Sequence, residues 1–320
     1  MNQPIHFSQW MEQALYNRRS GYYSRRIEAV GERGDFTTAP MISDHLSHAI
    51  GKWVDQAMQE TGARDLIEIG PGNGILAKNV WKSLSWIRRR TSKLHLVETS
   101  EPLKQQQRKL MNNKVLWHRT PEEAMEASGG RAIIYSNELV DAFPCMRYEL
   151  TPVGWQEIAV QYDECQQAHE VLLPVESRPC SSIFASRNRE RFTIGQRVEV
   201  HLPYKQWLQR WLPLWKAGRM LTIDYGAKAE HLYQRQPQGS IRAYFLHQRL
   251  TGMEIYQNMG RQDLTADVNF TDLIEWSETW TSHSALQTLA DFIADRSAQK
   301  RLLDPQGAGG AFKVLEQRPL

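Results

Sequence analysis

The stretch LIEIGPGNG, Leu66–Gly74, runs from strand-forming residues straight into a turn with glycine at positions 70, 72 and 74. The following residues, ILAKNVWKSL, carry apolar side chains at helical spacing, so the whole reads as a strand, a tight turn and the first turn of a helix. Glycine suits such a turn because the backbone must reverse sharply and come close to a ligand. Free N–H groups at the helix start can then hold negative charge. The spacing disfavours NAD and FAD, because the dinucleotide fingerprint GxGxxG needs glycine at 75, where Ile75 stands.

Two acids flank the turn. Glu68 precedes the glycines inside the strand end, where a carboxylate would repel a pyrophosphate but can pair with an ammonium group, which suits the methionine moiety of S-adenosyl-L-methionine. The next strand closes in LVETS, placing Glu98, with Thr99 beside it, at the carboxyl edge, where a carboxylate can accept both hydroxyls of a ribose. The plainer alternative is a pair of ordinary strand-end residues. Gly70, Gly72, Gly74, Glu68, Glu98 and Thr99 are therefore the candidate cofactor-binding residues of this segment, and S-adenosyl-L-methionine is the expected cofactor.

Working outward, short apolar runs alternate with helical stretches: DLIEIG, ILAKNVWKSL, KLHLVE, PLKQQQRKLM, VLWH, PEEAMEA and RAIIYS. Strand–helix repetition of this kind predicts an α/β fold with a doubly wound parallel sheet covered by helices on both faces. The rhythm breaks at 146–200, where WQEIAVQY and HEVLLPV read as antiparallel strands, and it resumes with the helix YKQWLQRWLPLWKAG and the strand RMLTIDYG. GAFKVLEQ is expected to be the last strand. The expected organisation is an N-terminal helical cap and lid loop over 1–62, a cofactor-binding core over 63–145, a β-rich insertion over 146–200, and the remainder of the core with substrate-side elements over 201–320.

With 320 residues the chain can bury a sizeable core, and 41% hydrophobic and 23% charged residues are ordinary for a globular protein, which argues against disordered and fibrous classes. A net charge of +3 gives no field suited to nucleic acid, and the run Arg88-Arg89-Arg90 reads as the solvated end of a helix. Cys145, Cys165 and Cys180 are odd in number and lack CxxC spacing, so neither a disulfide framework nor a zinc site is expected. His45 and His48 lie three apart without a third ligand, and no metal is expected. No stretch is long and apolar enough for a signal peptide or a membrane span, so no membrane insertion and a cytoplasmic location are expected. Trp207, Trp211 and Trp215 recur at helical spacing and read as core, with Pro213 expected to shorten or kink that helix.

RAIIY is followed at once by SNELVDAFP, 136–144. As the fourth strand of a doubly wound sheet, RAIIY would lie beside the first, and its carboxyl end would face the ligand. Asn137 can bond the cofactor or brace the loop, while Glu138 and Asp141 can face one cavity if the segment turns helically. Two carboxylates beside a sulfonium call for a cationic acceptor, and a guanidinium meets that demand with a planar fork of donors. Glu138 and Asp141 are the candidate catalytic residues; the alternative is a capped turn. His201, His247, Asp224 and Tyr225 are further polar candidates with an equally good structural reading.

The chain resembles the MidA-like methyltransferases, through GYY at 21–23, GDFTTAP at 34–40, EIGPGNG at 68–74, LVETS at 96–100, NELVDAFP at 137–144, IDYG at 223–226, DLTADVNF at 263–270 and GAFKVL at 310–315. IRAYFLHQ at 241–248 follows the family pattern only loosely. The resemblance implies a class I methyltransferase fold, Rossmann-like, and a lid over the cofactor in which Gly34, Asp35, Thr38 and Pro40 join the binding site. The family includes a mitochondrial complex I assembly factor that symmetrically dimethylates an arginine of a partner subunit, which implies a protein substrate with an arginine acceptor. A small-molecule acceptor and a non-catalytic assembly chaperone remain alternatives. The segment NEL resembles half of the double-glutamate loop of symmetric arginine methyltransferases, whose first glutamate would fall near Gly129, where none is present.

Overall fold

The computed structural model describes residues 3–26, 44–111, 115–175, 179–184, 192–293 and 307–320. Gly34, Asp35, Thr38 and Pro40, with the expected lid, lie outside the described residues. Contacts divide the chain into two units: 1–26 with 140–206 and 226–276, and 27–139 with 207–225 and 277–320. This division differs from the contiguous one expected from sequence. The N-terminal helix Phe7–Tyr16 belongs with the β-rich segment, because its apolar face of Phe7, Trp10, Met11, Ala14 and Leu15 is buried there, and residues 5–6 pair with the strand Gly154–Tyr162.

In the second unit the strands are β1 (Asp65–Ile69), β2 (Lys93–Val97), β3 (Val115–His118), β4 (Ala132–Asn137), β5 (Met220–Ala227), β6 (Thr281–Thr288) and β7 (Phe312–Pro319). They run in the order β3-β2-β1-β4-β5-β7-β6. The first five are parallel, and β7 pairs antiparallel with both β5 and β6. Helices α1 (Asp44–Thr61), α2 (Ile75–Ser83), α3 (Glu101–Leu110) and α4 (Pro121–Ala127) cover this sheet. The doubly wound α/β expectation is met, with RAIIY as the fourth strand beside the first. Strands β1 and β4 read as apolar runs because both of their faces are covered. The core joins Leu46, Ile50 and Val54 of α1 to Leu66, Leu94, Leu96, Ile133, Leu221 and Val314 of the sheet. Strand order reverses between β1 and β4, and at such a point the loops leave the sheet in opposite directions and open a crevice at the carboxyl ends.

The first unit is antiparallel. Gly154–Tyr162 lies between Met146–Thr151 and Ala168–Pro174, with Arg197–Val200 on the far side of Met146–Thr151. A smaller sheet is built from Arg242–Phe245, Gln248–Leu250 and Asp263–Thr265. The tryptophan stripe is only partly helical: Leu202–Trp211 is a helix, Pro213 turns the chain into a single 3-10 turn, and Trp215 then donates to the Ala132 carbonyl at 3.1 Å. Among the described residues no helix is long and apolar enough to cross a membrane.

Candidate active site

The carboxyl ends of β1, β2 and β4 converge on the glycine turn. Gly70, Gly72 and Gly74 all take positive φ, at 69°, 56° and 82°, in the left-handed region where a side chain is strained. Each glycine serves a different need. A Cβ on Gly70 would meet Leu139 Cδ1 at 2.7 Å, so the turn after β1 and the loop after β4 approach as closely as they do only because that side chain is missing. A Cβ on Gly74 would stand 3.0 Å from Gln107 Cγ, while beside Gly72 there is open space. The turn therefore packs against protein at its ends and presents its middle glycine outward. Gly74 also closes the turn into α2, with its N–H bonded to the Pro71 carbonyl at 2.9 Å and the Asn73 side chain accepting from Ile75 N–H at 3.0 Å.

Both flanking acids are buried, at 2% exposure for Glu68 and 7% for Glu98. Glu68 Oε2 accepts from the Tyr135 hydroxyl at 2.7 Å, across the β1–β4 register. Burial pushes the Glu68 carboxyl up to about 8, against the lowering effect of that hydrogen bond, and the nearby Glu98 charge adds to the rise. Glu98 Oε1 accepts from Ser100 N–H at 2.8 Å and Oε2 from Gln107 Nε2 at 3.3 Å. Burial lifts it to about 7, opposed by the Ser100 and Thr99 backbone, by Gln107 and by Lys104. Thr99 itself is exposed and takes part through its backbone.

After β4 the segment departs from the expected helical turn. Glu138 sits at φ 50°, a left-handed conformation that a glutamate adopts only against strain, so Glu138 and Asp141 are not displayed on one helix face. The left-handed residue is pinned on both sides: Glu138 N–H donates to the Ile223 carbonyl at 2.9 Å and Leu139 N–H to Asp224 Oδ2 at 3.2 Å. Asn137 Nδ2 donates to Glu138 Oε1 at 3.0 Å, while Asn137 Oδ1, buried, has no hydrogen-bond partner among the described residues. Asp141 is buried in the other unit, where its carbonyl accepts from Ala266 N–H at 3.0 Å. The chain passes from one unit to the other between Leu139 and Val140.

The remaining candidates separate. Asp224 is a brace, with Oδ1 accepting from Tyr225 N–H at 2.9 Å and Oδ2 from Leu139. Tyr225 packs its ring on Phe312 at 3.8 Å. His201 lies buried in the antiparallel unit, held neutral by burial with its pKa lowered to about 4. His247 is exposed in the hairpin turn after Arg242–Phe245, at φ 64°. Sequence reading missed Gln107, Tyr135 and Trp117. Gln107 sits among QQQRK in a polar helix, and its one signal is its spacing of four from Leu103, the other buried residue of α3.

These residues fit an adenosyl amino acid: an open middle glycine, the unpartnered Asn137 Oδ1 as an acceptor for an ammonium, and two buried carboxylates that a cation or sugar hydroxyls would satisfy. The model of a family of S-adenosyl-L-methionine-dependent methyltransferases matches residues 49–287. The Drosophila melanogaster homologue of the mitochondrial protein arginine methyltransferase NDUFAF7 is 25% identical, with 99% of this chain and 82% of that protein covered. The Mus musculus mitochondrial protein arginine methyltransferase NDUFAF7 is 27% identical over 84% of this chain and 65% of its own length. A Burkholderia thailandensis protein crystallised with S-adenosyl-homocysteine superposes with a TM-score of 0.85 at 23% identity, covering 98% of this chain and 88% of that one.

Proposed function

Since the chain belongs to the family of S-adenosyl-L-methionine-dependent methyltransferases, we propose that its acceptor is a guanidino nitrogen of a protein arginine, carried through to the symmetric dimethyl product. The observation that carries this reading is Glu138: a carboxylate at the carboxyl end of β4, held left-handed where glycine or asparagine would be easier. Supporting it, two relatives that align over most of the chain are named protein arginine methyltransferases.

The cofactor supplies an electrophilic methyl on a sulfonium. The chain's own contribution is to hold and aim. The Gly70–Gly74 turn offers its backbone, Glu98 accepts the ribose hydroxyls, and Asn137 Oδ1 with Glu68 receives the ammonium. Glu138 holds the guanidinium by charge-assisted hydrogen bonds, with Asp141 three residues on as a second carboxylate for the same cation. Orienting one nitrogen lone pair toward the methyl is most of the catalytic task, because the guanidinium charge is delocalised away from a nitrogen that is turned out of conjugation.

Glu138→Gln keeps size and one acceptor oxygen but removes the charge. Methyl transfer to arginine should fall by about 10²-fold or more, with cofactor affinity nearly unchanged. The measurement is tritiated methyl transfer into protein from cells lacking this enzyme, followed by acid hydrolysis and separation of methylarginines. Label found only on small molecules, or on other side chains, would reject arginine as the acceptor.

A further inference from the structure

Gln107 is fully buried in the middle of an otherwise polar helix, and all three of its polar contacts are made to elements of the cofactor site. Its Oε1 accepts from Trp117 Nε1 on β3 at 3.0 Å, and its Nε2 donates to the Gly72 carbonyl at 2.7 Å and to Glu98 Oε2 at 3.3 Å. An indole N–H can only donate, so Trp117 dictates which end of the amide is oxygen, and the NH2 must face the glycine turn and the acid. The side chain reaches there because position 74 carries no Cβ, which would stand 3.0 Å from Gln107 Cγ. The third glycine of the turn thus makes room for a protein side chain.

We propose that Gln107, locked by Trp117, is the positioning residue of the ribose-binding carboxylate: its amide joins the Gly72 carbonyl and the Glu98 carboxylate into one preset unit. An amide donor on Oε2, with Ser100 N–H on Oε1, fixes the plane of the carboxylate and leaves its remaining lone pairs for two hydroxyls. A donor also favours the ionised form of Glu98, which burial disfavours. The charged or titratable groups acting on this carboxylate are Glu68 on β1 and Lys104 on α3. His118 on β3 contributes its carbonyl, which accepts Glu98 N–H at 3.1 Å, while burial and then His95 keep its imidazole pKa below the usual value. Lys104 alone does not bring Glu98 down to the ordinary carboxylate range, so the neutral donors decide how much of it is charged near neutrality.

The inference rests on Glu98 as the ribose acceptor and is independent of which acceptor is methylated. The test is calorimetric binding of S-adenosyl-homocysteine between pH 6 and 9 to the full chain and to Glu98→Gln, Gln107→Leu, Trp117→Phe and the double variant. Glu98→Gln must weaken binding first; if it does not, the reading of Glu98 fails. Given that, Gln107→Leu should weaken binding about 10-fold or more at pH 7, and the loss should shrink toward pH 9, where Glu98 is ionised without help. Trp117→Phe touches neither Glu98 nor the turn, yet should give a smaller loss with the same pH dependence, and the double variant should be less than additive. A loss equal at every pH, or full affinity in a folded Trp117→Phe protein, would reduce Gln107 to a packing residue. Should Gln107→Leu fail to fold, Trp117→Phe decides alone.

Discussion

Glu170 and Glu199, in the antiparallel unit, are gathered around a guanidinium: Arg147 Nη1 is 2.6 Å from Glu170 Oε1, and its Nε is 3.6 Å from Glu199 Oε1. The Tyr256 hydroxyl joins both Arg147 and Glu170, and the Phe7 ring lies under the cation at 4.9 Å. Glu68 and Glu98, in the seven-stranded unit, are met by neutral hydrogen-bond donors instead. The consequence is visible in the titration of otherwise similar buried acids. Burial would raise Glu170, but Arg147 and Arg197 outweigh it and its pKa ends lowered, whereas burial prevails at Glu68 and Glu98. An acid supplied with a cation by its own chain is part of the scaffold. An acid left with neutral donors is poised for charge or hydroxyls that arrive with a ligand.

The comparison breaks most sharply at Arg147. Removing the cation strands two buried carboxylates, so Arg147→Leu should destabilise the protein by about 3–5 kcal/mol, read as a fall in the urea midpoint. A loss below about 1 kcal/mol would mean that Arg197 and the Tyr256 hydroxyl suffice, and the contrast between the two regions would collapse.

Neither network was legible in the sequence, for a common reason. Arg147 in MRYELT reads as the solvent side of an alternating strand, and Tyr135 in RAIIY as one more apolar residue, because period shows which face a residue is on and not what stands opposite. What local pattern does carry was readable: the β1 turn and its three glycines, the α/β alternation up to β4, and the adjacency of β4 to β1 that follows from winding the sheet outward in both directions. The grouping of residues 1–26 with 140–276 was not, since it depends on pairings such as Ile5 with Val160, far apart in the chain. The left-handed Glu138 was hidden too, because glutamate carries no turn signal of the kind glycine and asparagine give.

At Glu68 the contrast sharpens into a pH dependence. A carboxyl near 4.5 when unfolded and about 8 when folded keeps its proton in the native state while the unfolded chain ionises. The native state is therefore favoured fully below about 4.5, and that advantage is lost as pH rises through about 8. Glu68→Gln, which can still accept from Tyr135, removes this dependence. Between pH 5 and 8 the ligand-free wild type should lose on the order of 3 kcal/mol relative to the variant. Parallel stability curves for the two proteins would show that Glu68 is already ionised and that some cation serves it as Arg147 serves Glu170.

The smallest effect belongs to Glu98, and it isolates the sugar from the amino acid. An adenosine ligand carries the ribose but no ammonium, so its affinity reports on Glu98 without a titrating amine in the ligand. Hydroxyls donate to the ionised carboxylate more strongly than to the neutral acid. Since Glu98 titrates near 7 in the ligand-free protein, its charged fraction rises about tenfold between pH 6 and 8, and adenosine should bind up to about tenfold more tightly over that interval. The sign is fixed by the shift: protonation below 7 removes the preferred acceptor, so binding weakens as pH falls. Glu98→Gln should bind more weakly at pH 8 and show no such slope. A wild type whose adenosine affinity is flat across the interval would place Glu98 with Glu170, as an acid whose charge its own fold has already settled.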